Sequence, residues 1–256
     1  MHRYLIPTCA ALLLPLLGLS AGPAQATVCP KGTDWHSYAY EGQPNQFRQA
    51  GSSTLEIETA NTGSLHYQAC DAPLRSTLSW RWRSEGAWNA AGKPVDVTKK
   101  EEGDRRVALW VGLERVAGKP SAMEMARNLF GVGKLEHVDS APDFVIIYTW
   151  ADRFDEHAVL QYENGDDSMA ILVVDNRSKA SDEFRQFERD LFCDYLAVTQ
   201  LGAQKLLSKE ECEKVKATGK VEHRVSAIGV SADSEFTQSR VRSEVVELRL
   251  VTQEGQ

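Results

Sequence analysis

The chain has 256 residues, of which 42% are hydrophobic and 25% charged, and a formal net charge of −7. That is the make-up of an ordinary globular protein, long enough after processing for one large domain, which is the expectation for residues 27–256. Acidic residues outnumber basic ones with both signs interspersed, so the basic field that nucleic acid or an anionic membrane surface would need is missing.

The chain opens on Arg3, a mostly apolar run from Leu5 to Leu19 and the small residues Ala24-Gln25-Ala26. This is the layout of a cleaved secretory signal over residues 1–26. The apolar run is roughly 15 residues and is broken by Pro7 and Pro15, whereas a spanning helix needs about 20. No membrane span is expected elsewhere, and Val28 before Cys29 argues against a lipid anchor. The expected location is the periplasm or the exterior.

Cys9 would leave with the signal, so Cys29, Cys70, Cys193 and Cys212 remain, an even number suited to disulfides in an oxidising compartment. Of the connectivities open to them, Cys29 with Cys70 and Cys193 with Cys212 is the most local. No Cys-x-x-Cys or neighbouring His pair supports zinc.

Along the chain, irregular or edge structure is expected through Gly51. Two short alternating runs follow, Thr54–Thr59 and Ser64–Ala69, joined by Asn61-Thr62-Gly63 as a hairpin. Leu78–Arg83 alternates strictly, with Leu78, Trp80 and Trp82 on a core face and Ser79, Arg81 and Arg83 on the other. A polar loop leads to a strand over Asp104–Leu113, in which Val107, Leu109, Val111 and Leu113 face the core and Asp104 and Trp110 face away. Ser121-x-x-Glu124 is a capping box that should start a helix ending near Gly131 or Gly133.

Phe144–Trp150 and Met169–Val174 are short β-branched runs that predict buried strands on either side of a polar insertion with a Gly165-Asp166-Asp167 turn. Phe184, Phe187, Leu191 and Tyr195 recur at intervals of three and four, which predicts an amphipathic helix over Ser181–Val198. A second capping box, Ser208-x-x-Glu211, starts another helix that Gly219 should end, so Cys193 and Cys212 would staple adjacent helices. Val221–Ala232 and Ser243–Val251 close the chain as strands, the last with Val246, Leu248 and Leu250 on one face.

Leu78–Arg83, Gly103-Asp104 before the next strand, Tyr148-Thr149-Trp150 closing an apolar strand, and Gly229-Val230 followed by Asp233–Thr237 resemble, in kind and order, the bacterial secreted family called domain of unknown function 3047. The resemblance covers roughly residues 50–251. It implies a mainly β fold, an antiparallel β-sandwich of the galactose-binding-like jelly-roll type with inserted α-helices, and no particular activity. The chain departs from the family pattern at Arg105, at Asp233-Ser234-Glu235-Phe236-Thr237 and at Arg242-Ser243-Glu244.

If the two strands carrying them are adjacent, Arg81, Arg83, Asp104 and Trp110 form a ligand face on the concave side of a sheet, with Trp150 at its end. There an aromatic ring can stack on a sugar while charged groups bind its hydroxyls; the bland alternative is an ion-pair network over a solvated sheet. No cofactor is expected, though Asp233 and Glu235 offer the hard oxygen ligands that calcium would take. No nucleophile motif occurs, and an acid pair such as Asp104 with Asp233 could in principle act on a glycosidic bond, as a glycan hydrolase would. The leading expectation is therefore a non-catalytic binding module for a saccharide or small polar ligand. A structural or interaction protein, docking a protein partner on its helices, comes next.

Overall fold

The computed structural model describes residues 27–30, 32–99, 102–116, 142–162, 168–177 and 181–252. The expected signal, the helix from Ser121 and the turn at Gly165 lie outside the described residues. The rest is a β-sandwich of two sheets.

The six-stranded sheet runs β11 (Ser181–Asp190), β6 (Ser76–Ala87), β13 (Arg240–Thr252), β4 (Thr54–Ala60), β3 (Gln46–Ala50), with β1 (Thr27–Cys29) also on β13. The seven-stranded sheet runs β2 (His36–Glu41), β5 (Gly63–Pro73), β12 (His223–Asp233), β7 (Ala108–Arg115), β8 (Phe144–Trp150), β10 (Met169–Asp175), β9 (Val159–Gln161). All pairings are antiparallel except β8 with β10, so this sheet is mixed rather than purely antiparallel. Every residue of β8 and β10 is buried. Strands covered on both faces need no polar alternation, and their continuous apolar runs reflect that.

The core lies between the sheets. Along β6 the inward residues are Ser76, Leu78, Trp80, Trp82 and Ser84. Trp80 packs 5.3 Å from the Tyr148 ring and 5.1 Å from Phe187, and the Trp82 indole N–H donates to Asp175 at 3.1 Å. The facing sheet contributes Leu109, Val111, Leu113, Ile146, Leu172, Ile228 and Val230 to the same cluster. Burying side chains of this size is worth roughly 1.5–3 kcal/mol each. A second apolar cluster covers the other side of the seven-stranded sheet.

Three expectations are corrected. Ser181–Asp190 is a strand, and helix α1 spans only Leu191–Thr199, with Asp190 accepting from the Cys193 N–H at 3.1 Å as its cap. Residues three apart share a helix face but oppose each other on a strand: Phe187 turns inward onto Trp80, while Phe184 lies beneath the outward Arg81 and Arg83. Likewise, β4 and β5 are no hairpin. The chain crosses from one sheet to the other at Asn61 (φ 59°), and the corner is tied by Ser234, whose N–H donates to Thr62 O at 3.1 Å and whose Oγ accepts from the Asn61 N–H at 3.0 Å. Finally, β13 carries a bulge between Val246 and Arg249, with Glu247 at φ 54°. The extra residue resets the pleat, so Val245, Leu248 and Leu250 all face the core.

The second capping box forms as expected. Helix α2 (Lys209–Lys216) has the Ser208 hydroxyl accepting from the Glu211 N–H and the Glu211 carboxylate accepting from the Ser208 N–H. Both disulfides join the expected partners: Cys193–Cys212 links α1 to α2, and Cys29–Cys70 links β1 of one sheet to β5 of the other. Among the described residues no helix is long and apolar enough to cross a membrane.

Candidate functional site

The two sheets divide the expected ligand residues. β6 and β7 lie in different sheets, so Arg81 and Arg83 are not beside Asp104 and Trp110.

On the outer face of the six-stranded sheet, Arg81 pairs with Glu247 at 3.0 Å and Arg83 with Glu244 at 2.8 Å. Their guanidinium groups lie 5.0 and 4.8 Å from the Phe184 ring. Glu244 and Glu56 are directly opposed across β13 and β4, a repulsive pairing that Arg242 and Arg48 offset by bonding Glu56 at 3.0 and 2.6 Å. Hydrogen bonding from Arg48, then the charge of Arg242, holds the Glu56 carboxyl below its usual range. This face is a ladder of mutually satisfied charges.

Trp150 is 1% exposed and sits at one end of the core. Its indole N–H donates to Arg177 O at 2.7 Å, and the guanidinium groups of Arg177 and Arg106 lie 4.3 and 5.2 Å from its ring. Arg106 is also 5.2 Å from the Trp88 ring and pairs with Asp152; burial draws its pKa down to about 10.

The outer face of the seven-stranded sheet has a different character. Register aligns His36, Tyr67, Gly229, Trp110, Ile147 and Ile171 in one row, and Tyr38, Leu65, Ser231 and Ala108 in the next. Trp110 is 8% exposed and donates to Ser231 Oγ at 2.8 Å. Gly229 packs tightly here: a Cβ would come within 2.8 Å of Leu65 Cδ1 and 3.1 Å of His66 O. Towards the edge strand the aromatics become half-buried: the Tyr38 and Tyr40 rings are 6.1 Å apart on β2, and His36 lies 5.7 Å from Tyr67.

This aromatic strip ends at an acidic corner that unites residues expected at separate sites. Asp233 is bracketed by Gly63 on β5 and by Arg105, with which it exchanges backbone hydrogen bonds of 3.2 and 2.8 Å. A Cβ on Gly63 would meet Tyr40, Glu235 and Asp233 within 3.4 Å, so all three converge on that glycine. The buried Asp104 carboxylate accepts from the N–H groups of Phe236 and Thr237 at 3.1 and 2.5 Å, pinning the loop after β12. Burial pushes the Asp233 carboxyl well up, a hydrogen bond with Asp104 and that group's charge push it further, and Arg105, 3.8 Å away, opposes. Burial likewise raises the phenols of Tyr40 and Tyr162.

Chemically, the corner gathers the carboxyls of Asp104, Asp233 and Glu235 beside the Arg105 guanidinium. Elsewhere, Asp190, Cys193 and Cys212 are the described residues grouped closely enough to suggest a metal, but the two sulfurs are bonded to each other. The tyrosines and Arg105 escaped the sequence reading, although Tyr38 and Tyr40 alternating with Ser37 and Ala39 carry a strand's period.

A family model described as "Protein of unknown function (DUF3047)" matches residues 33–249. The chain belongs to this family. No curated protein matches it. Among solved structures it is similar to the xyloglucanase domain of NopAA, a type three effector from Sinorhizobium fredii in complex with cellobiose, at 11% identity and a TM-score of 0.39, over 86% of this chain and 93% of that one. The DUF3047 description names no activity.

Proposed function

We propose that the chain is an exported, non-catalytic binding module that holds an envelope saccharide or similar polar ligand on the outer face of its seven-stranded sheet. One observation carries this reading: half-buried Tyr38 and Tyr40 stand in line on an edge strand and lead to a corner of carboxyls and Arg105. Aromatic rings supply flat apolar surface for the C–H faces of a sugar, and the corner supplies donors and acceptors for its hydroxyls. Two disulfides fit folding in the periplasm or outside the cell.

Among the described residues the exposed large hydrophobics are Val116, Leu201 and Val221, and neither helix presents an apolar stripe. Among the described residues, then, neither α1 nor α2 offers an apolar face for docking. Calorimetric titration of residues 27–256 with glucan, xylan and peptidoglycan oligomers tests the proposal. Binding by one class, lost in Tyr38→Ala while thermal stability stays within about 1 kcal/mol, supports it. Binding unaffected by Tyr38→Ala, or none, overturns it. Calcium belongs in the same series, because Asp104, Asp233 and Glu235 have its ligand chemistry; a response to calcium alone would reassign the corner to a metal.

A further inference from the structure

Three rings follow one another along the outer side of β2. His36, Tyr38 and Tyr40 occupy every second residue of this edge strand, and each is half-buried. Alternation puts them on one face, and at about 3.3 Å per residue the row extends for roughly 13 Å. Next to the row the sheet itself is buried. Tyr67 and Leu65, which stand beside His36 and Tyr38 on β5, are 4% and 2% exposed, and Trp110, two strands further in, is 8% exposed. Across β2, β5, β12 and β7 the aromatic surface left to a ligand is therefore a strip one ring wide.

The strip is also not flat. The Tyr38 and Tyr40 rings are 6.1 Å apart but inclined at 60° to each other. The cause lies in the ladder: β2 and β5 keep their register from His36 to Ala39, and it shifts between Ala39 and Glu41. A bulge of this kind adds twist and re-aims the side chain it carries, so Tyr40 turns out of the plane of Tyr38. No single flat surface lies parallel to both rings. A packed polysaccharide presents only such a surface, whereas a separate chain can rotate about each glycosidic bond and set one sugar against each ring.

Polar groups close the strip at its Tyr40 end. There Tyr40, Asp233 and Glu235 converge on Gly63, and the loop pinned by Asp104 stands across the line of β2. A sugar over Tyr40 has carboxyls beside it for its hydroxyls, and a further unit has no ring of β2 to rest on.

We infer that the tyrosine face takes one separate glycan chain across three consecutive units, laid along β2 over His36, Tyr38 and Tyr40, and does not take the flat face of a packed polysaccharide. This narrows the saccharide reading given above and rests on it.

Calorimetric titration of the protein with glucose, xylose and N-acetylglucosamine oligomers of one to six units measures the length of the site. Affinity for the class that binds should rise about tenfold with each unit up to three, an aromatic contact being gained each time, and should be level from three to six. His36→Ala removes the ring at one end and should level the series at two units; Tyr40→Ala should do so from the other end. An unchanged melting curve shows that each variant folds. Retention on insoluble cellulose and chitin is measured in parallel and should be weaker than binding of the three-unit oligomer. Equal affinity for one unit and three, a rise that continues to six, or tighter retention on the insoluble polymers overturns this inference and leaves the saccharide reading standing. If no oligomer of any class binds, both fall.

Discussion

The outer faces of the two sheets began as the same kind of surface, a strand face pointing away from the core, and were resolved in opposite ways. On the six-stranded sheet, Arg48, Arg81, Arg83 and Arg242 meet Glu56, Glu244 and Glu247, every charge answered by a neighbour. On the seven-stranded sheet the polar groups are fewer, buried and unequal, with Asp233 sharing a hydrogen bond with another acid and Tyr40 raised by burial. A face whose charges are internally satisfied has little left to offer a ligand. A face with desolvated groups and half-buried rings does.

Mutation can break this contrast, beginning where it should be greatest. Asp104→Ala strips the acceptor from two backbone N–H groups in the interior and should lower unfolding stability by about 4 kcal/mol in denaturant titrations. The next effect in size belongs to the inner side of β5. His66 lies between Ser37 and Ser64 and is stacked 4.2 Å from Phe47, and burial pulls its pKa down to about 4. The unfolded chain therefore binds a proton near pH 6.5 that the folded protein refuses. This stability is fully present above pH 6.5 and falls as pH drops towards about 4, by roughly 3 kcal/mol in all. His66→Asn should remove that slope from melts recorded across the interval.

Asp233 has the opposite sign. Its folded pKa is raised, so its contribution is present at acid pH and is lost as pH rises from the ordinary aspartate value of about 4. Asp233→Asn keeps a donor towards Asp104 without a charge to bury, and should stabilise the protein at neutral pH by on the order of 1 kcal/mol. The smallest effect belongs to the ladder. Arg81→Ala should cost less than about 1 kcal/mol, and the loss should shrink in high salt, because exposed pairs are screened. If Arg81→Ala were as damaging as Asp104→Ala, the two faces would not differ as described.

Local pattern revealed strands and caps better than it revealed their assembly. Alternation in Leu78–Arg83, the unbroken apolar run Phe144–Trp150 and the Ser208–Glu211 box each depend on neighbours in sequence, and each forms as expected. Alternation tells which side chains share a face, but not which sheet a strand joins. That is why Arg81 and Trp110 looked like partners, and why β4 and β5 looked like a hairpin. Phe184 and Phe187 fit either a helix or a strand, and only the pairing of β11 with β6 decides between them. The bulge at Glu247 has no glycine or asparagine to announce it. The acidic corner was legible as residue types in Asp104, Asp233 and Glu235, yet their convergence depends on the backbone pairing of Arg105 with Asp233.

The position of β13 also bears on how the chain reaches its final state. It lies between β6 and β4 in the middle of the six-stranded sheet, and β1 attaches to it from the other end of the chain. A ribosome delivers that central strand after β1, β4 and β6. Until it arrives, β4 and β6 have no common partner, and the strand that brings Cys29 to Cys70 has nothing to pair with. Assembly of this sheet is therefore a long-range event, slow by its topology, and it must wait for β13.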